Sequence, residues 1–95
     1  MDWFLATAIG HTERLEELIL DGADLNQQNW DGKTALHISC YYGYYSMVKL
    51  LLRYGARSEI LSLSGLTPKD LARKREIIVL FDIYEGKLTK PARNR

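Results

Sequence analysis

Three pairs of glycines in this chain, Gly10 and Gly43, Gly22 and Gly55, and Gly32 and Gly65, share one and the same offset of 33. A fixed period of this size restricts the chain to a stack of small supersecondary units, each burying its apolar face against a neighbour rather than around one central core. Sliding the sequence by the same offset aligns Leu5 with Ile38 and Leu71, and Ala6 with Ser39 and Ala72. It also pairs Leu15 with Val48, Leu18 with Leu51, Ile19 with Leu52, Ala23 with Ala56 and Thr34 with Thr67. Apolar residues fall on apolar ones and small on small, so every copy presents the same buried face.

The unit is two helices and a loop. The one full copy opens with a short helix over Thr34 to Cys40, with Thr34 able to cap its first turn, Leu36, Ile38 and Ser39 facing inward, and Gly43 ending it. A second helix is expected from Ser46, as its N-cap, to Tyr54. Met47, Val48, Leu50, Leu51 and Tyr54 form its amphipathic stripe, and Gly55 is the left-handed stop. Residues 56–65 return the chain to the next unit. The first copy repeats this, with a helix over Asp2 to Ile9, then Thr12 as cap, Leu15, Leu18 and Ile19 inward, and Gly22 as stop; Glu13 and Glu16 in the first turn suit the helix dipole. In the last copy Ile77, Ile78, Leu80, Phe81 and Tyr84 follow a helical stripe, but Glu76 stands where the period requires a glycine. Either a deletion of about three residues or a lost glycine turn is needed to place that helix.

Composition narrows the class. Ninety-five residues, 46% hydrophobic and 26% charged, suit one small globular domain. No stretch is apolar enough to span a bilayer, and the N-terminus lacks the pattern of a secretory signal. The single cysteine, Cys40, forms no internal disulfide, so an intracellular, cytoplasmic or nuclear setting is expected. Residues 86–95 carry four bases and no acid, against 9 bases and 12 acids in the preceding 85. This basic tail is expected to be a solvated terminus or linker.

Three short motifs carry a family resemblance. Thr34-Ala35-Leu36-His37 and Thr67-Pro68, each with a glycine two residues before it, resemble the Thr-Pro-Leu-His motif of ankyrin repeats. Gly22-Ala23-Asp24-Leu25-Asn26 resembles the segment that closes such a repeat. The period found here is also that of the family. The resemblance implies an all-α ankyrin-repeat solenoid of stacked helix-turn-helix units joined by hairpin-like loops over residues 1–85. Its parts are an N-terminal capping repeat (2–28), a full repeat (29–61) and a shortened C-terminal capping repeat (62–85), followed by the tail at 86–95. Trp3 and Phe4 depart from the motif at one end, Lys69 and Asp70 at the other. Trp3 is expected to cover the end of the core.

No active site assembles from these residues. The resemblance places His11 at the start of a second helix and His37 in the motif turn, where the imidazole ties neighbouring repeats. Cys40 occupies a small-residue position facing the interior, where thiols are inert. No metal-ligand spacing or phosphate-binding glycine loop is found, so no cofactor, no metal and no catalysis are expected. The unusual cluster is Tyr41-Tyr42-Gly43-Tyr44-Tyr45, with Trp30 shortly before it. In an ankyrin-like unit Trp30, Asp31 and Lys33 occupy a hairpin tip, and Tyr41 and Tyr42 the outward end of the first helix. Tyr45 is expected to point into the stack. Exposed aromatics with a polar end favour protein interfaces.

The expected function is therefore a non-catalytic protein-protein interaction module. It would hold a protein or peptide partner on Trp30, Asp31, Lys33, Tyr41, Tyr42, Leu63 and Leu66, as a monomer or weak homo-oligomer without membrane contact. A second reading uses Lys69, Arg73, Lys74, Arg75 and the tail to contact nucleic acid or an acidic partner, although nucleic acid is disfavoured. A third treats the chain as a regulatory fragment of a larger enzyme.

Overall fold

The computed structural model describes residues 2–84, so the basic tail expected at 86–95 lies outside the described residues. Six helices follow in order: α1 Trp3–Ala8, α2 Thr12–Leu20, α3 Ala35–Tyr42, α4 Tyr45–Arg53, α5 Pro68–Leu71 and α6 Arg75–Tyr84. No strand occurs among the described residues. The first helices of the three units, α1, α3 and α5, pack side by side, and the second helices α2, α4 and α6 form a parallel layer behind them. The stack measures 46 × 29 × 20 Å.

Local chemistry fixes the helix starts. The Asp2 carboxylate accepts the Leu5 N–H at 2.8 Å. The Thr34 and Thr67 hydroxyls accept the N–H groups of His37 and Asp70, whose side chains in turn accept the Thr34 and Thr67 N–H groups, giving two reciprocal capping boxes one period apart. Two expected caps move. The cap of α2 is His11 rather than Thr12, because its Nδ1 accepts the Arg14 N–H at 3.2 Å. The residue before α4 is Tyr44, which makes no side-chain cap, and Ser46 lies inside the helix.

The core runs between the layers. Leu15, Leu36, Met47, Val48, Leu51, Ile77, Leu80 and Phe81 are buried in one cluster, with Trp3 packed partly buried against it. Tyr44 lines the cluster and Tyr45 does not, a reversal of the expectation: Tyr45 is 41% exposed. The reason is local. Tyr44 is the last non-helical residue before α4, and its ring reaches back across the preceding unit, where its hydroxyl donates to the Ala8 carbonyl at 3.0 Å. A Cβ on Gly10 would come within 3.1 Å of that ring and push it aside by a few tenths of an ångström, and the φ of +75° there strains any other residue.

The ambiguous last helix resolves as a shortening. Second helices begin at Thr12, Tyr45 and Arg75, so the final unit is three positions shorter than the period. The shortening puts Lys74 at the position of Tyr44, and its Nζ likewise reaches back one unit, to the Gly43 carbonyl at 3.1 Å. It also sets Asp82 at the position held in the full copy by the buried Leu52, while Lys69, before the shortening, stands one full period after the buried Leu36. Lys69 and Asp82 form an ion pair at 3.7 Å.

Candidate partner-binding surface

The loops between units build the second half of the candidate surface. Asn29 folds the first hairpin: its Oδ1 accepts the N–H groups of Asp31 and Lys33, both at 2.9 Å, while its own N–H donates to the Lys33 carbonyl. Ser62, one period later, does the same with its Oγ accepting the Leu66 N–H. Gly32 has φ of +76°, and a Cβ there would stand 2.7 Å from the Leu63 backbone nitrogen. Its hydrogen lets the two hairpins touch, and the Leu63 N–H donates to the Asp31 carbonyl at 3.1 Å. The Gln28 amide bridges the same pair, donating to the carbonyls of Gly32 and Leu61.

His37 ties the hairpins to the helices. Leu66 offers a carbonyl that only accepts, so Nε2 carries the proton and donates to it at 2.8 Å, leaving Nδ1 to accept the Thr34 N–H at 3.1 Å. The ring is fully buried. Burial, the largest influence, holds its pKa below the ordinary 6.5. The Lys33 charge acts in the same direction, while the Leu66 bond and Asp70 oppose. His37 is thus a neutral structural tie. Cys40 is equally committed to the interior, since burial pushes its thiol up to about 12 and removes the thiolate a nucleophile requires.

Against this frame lies a half-open depression of about 230 Å³ lined by Phe4, Asn29, Trp30, Asp31, Lys33, Ile38, Tyr41 and Tyr42. Five of the seven residues expected to bind a partner meet there. Trp30 is 80% exposed at the hairpin tip, and Tyr41 and Tyr42 are each 53% exposed at the end of α3. The two tyrosines pack edge to face with centroids 5.1 Å apart, and Tyr42 stacks on Tyr44 at 5.5 Å. Asp31 and Lys33 form an ion pair at 3.0 Å. Leu63 and Leu66 do not line the depression; they are exposed on the next hairpin, joined to the first through the Leu63–Asp31 bond.

Phe4 and Ile38 were not among the expected site residues. The period contained the signal for Phe4: it falls one period before His37, and as His37 meets the hairpin that follows its own unit, Phe4 meets the hairpin at 29–33. The basic cluster is less available than its sequence suggests. Lys69 pairs with Asp82 and Lys74 holds the Gly43 carbonyl, which leaves Arg73 and Arg75 as its uncommitted exposed charges among the described residues. No helix of the described residues is long and apolar enough to cross a membrane.

A stack of paired helices with reciprocal caps, glycine-spaced hairpins and an imidazole tie between units defines a helical repeat protein. A family profile described as ankyrin repeats, in three copies, matches residues 3–80. The chain belongs to the ankyrin repeat family. Human ankyrin repeat domain-containing protein 40 is 36% identical over 81 residues, covering 84% of this chain and 22% of that protein. Human SH3 and multiple ankyrin repeat domains protein 2 is 39% identical over 67 residues, covering 70% of this chain and 4% of that one. The crystal structure of the ankyrin repeat domain of Bcl-3, described as a unique member of the IkappaB protein family, superposes with a TM-score of 0.81 at 29% identity. That match covers 83% of this chain and 35% of the Bcl-3 chain. The chain therefore spans less than a quarter of the length of these two human relatives. Ankyrin repeats are in general protein-protein interaction modules.

Proposed function

We propose that this chain is a non-catalytic binding module that holds a partner protein or peptide across the first hairpin and the outward end of α3. The observation that carries the reading is the convergence of Phe4, Trp30, Tyr41 and Tyr42 on one depression. Three of these rings, Trp30, Tyr41 and Tyr42, are exposed and otherwise a solubility cost, and at an interface they supply contact area with little loss of side-chain freedom. Leu63 and Leu66 extend the surface onto the next hairpin. The buried tie at His37 and the Gly32 contact support it by fixing both walls before a partner arrives, which lowers the ordering cost of binding. The division into an N-terminal cap, one full repeat and a shortened C-terminal cap belongs to the same proposal. The Lys69–Asp82 pair supports a polar face at the end of the last repeat. The same proposal includes an intracellular setting and a monomeric or weakly self-associating chain.

Replacing Trp30 and Tyr41 together by alanine is expected to lower capture of the partner from a lysate of the source cell by at least about a hundredfold. Removal of two interface anchors commonly costs that much. Helical circular dichroism should stay unchanged, because both side chains are exposed. Undiminished capture by a folded double variant would exclude this surface.

A further inference from the structure

The charges of the depression narrow what it can hold. Its lining contains one carboxylate and one ammonium, Asp31 and Lys33, and they are spent on each other at 3.0 Å. A cationic side chain entering among the four rings would gain their negative faces but meet Lys33 beside a carboxylate already neutralised. An anionic one would face the rings themselves. Charge complementarity therefore selects a segment without net charge.

Geometry and hydrogen bonding narrow it further. A helix is about 10–12 Å across with its side chains, so a half-open depression of about 230 Å³ takes in a few side chains and not a whole helix. The Trp30 indole N–H and the Tyr41 and Tyr42 hydroxyls donate to no other described residue. The surface thus offers flat apolar rings separated by hydrogen-bond donors. The complementary ligand has apolar faces and bare carbonyls that need no backbone donor of their own. A proline-rich segment in the polyproline II conformation has both, and is stiff enough to bind with small entropy loss. The edge-to-face and stacked contacts among Tyr41, Tyr42 and Tyr44 hold the rings in place beforehand.

We propose that the depression between the first hairpin and α3 recognises uncharged proline-rich segments, with Trp30, Tyr41 and Phe4 taking proline rings and the Trp30 and tyrosine donors meeting peptide carbonyls. This rests on the partner-binding reading above and adds the chemistry of the partner.

The test uses the full chain, labelled with nitrogen-15, titrated with acetylated and amidated decaproline. Controls are a glycine-serine peptide of equal length and one in which arginine alternates with proline. Decaproline is expected to move the Trp30 indole signal and the Tyr41 and Tyr42 amides, saturating with a Kd below about 1 mM. Binding should be unchanged between low and high salt, since no ions are exchanged. The Trp30→Ala variant should bind at least about tenfold more weakly. No movement of these signals, equal movement by the glycine-serine peptide, or tighter and salt-sensitive binding of the arginine peptide would overturn the proposal. If decaproline fails while the Trp30 and Tyr41 double variant still loses its partner, only the polyproline chemistry falls. If that variant keeps its partner, the surface itself falls.

Discussion

Replacing Phe81 by alanine is expected to destabilise the chain by about 4 kcal/mol, the range found when a fully buried aromatic is truncated. Phe81 has no exposed surface and lies with Ile77 and Leu80 in the α6 face that packs on α4. In a stacked fold, stability is close to a sum of repeat and interface terms, and this chain has three repeats and few interfaces to draw on. A loss of that size removes a large part of the roughly 5–15 kcal/mol that holds small domains together. The thermal midpoint should fall by more than about 15 °C. Val79→Ala, on the same helix but 38% exposed, should cost less than about 1 kcal/mol. Urea unfolding followed by circular dichroism measures both, and near-equal costs would show that α6 does not seal the stack as described.

His37→Ala is expected to cost about 3 kcal/mol, through a different mechanism, the loss of buried hydrogen-bond partners. The ring joins three structures: the Thr34 cap of α3, the core, and the next hairpin at Leu66. Its removal leaves the buried Thr34 N–H without its partner, at a cost of about 1–3 kcal/mol, takes one of two donors from the Leu66 carbonyl, which keeps the Ser62 N–H, and opens a void where the ring was. The same residue couples stability to pH. Its native pKa is lowered, so as pH falls the unfolded chain takes up the proton first. The contribution is complete above the ordinary value of 6.5, declines as pH falls from there toward the lowered native value, and is constant below it. Unfolding free energies measured at steps from pH 7.5 to 5 should show this decline in the native chain and lack it in the His37→Gln variant. A decline of equal size in both would assign it to other groups.

Much of this architecture was legible in the amino-acid order because it depends on residues whose chemistry is nearly unique. Left-handed turns recurring at one fixed spacing require glycine, and Thr34 and Thr67 announce reciprocal caps. The second-helix starts were harder to read. Tyr44 and Tyr45 are identical side chains in consecutive positions, and only the place of Tyr44 one period after the cap His11 separates the residue that reaches back from the one that faces out. The register of α6 was open because a three-residue deletion and a lost glycine turn leave the same apolar stripe. In the structure α6 begins at Arg75 and buries Ile77, Leu80 and Phe81, with Lys74 reaching the Gly43 carbonyl, a contact between units that no local pattern announces.

The binding surface was legible only in part, for a related reason. Trp30, Tyr41 and Tyr42 stand out as large rings at outward positions, whereas Phe4 reads only as a departure from the motif until its relation to His37 is followed to the hairpin. Leu63 and Leu66 are exposed as expected but belong to the neighbouring hairpin. Their part in binding depends on how far a partner extends. The lysines were legible only as charge, since a run of positive charge in sequence carries no sign that two members are held by Asp82 and the Gly43 carbonyl.

Under the proposed function, partner capture depends on the face of hairpins and first helices and not on the second-helix layer. The most direct measurement compares partner capture by the wild-type chain, by Trp30→Ala with Tyr41→Ala, and by Lys49→Ala with Arg53→Ala, which alters exposed positions of α4 on the opposite layer. Loss of capture in the aromatic variant alone, with all three chains equally helical, is the predicted result. Capture that survives the aromatic changes and disappears with the α4 changes would contradict it.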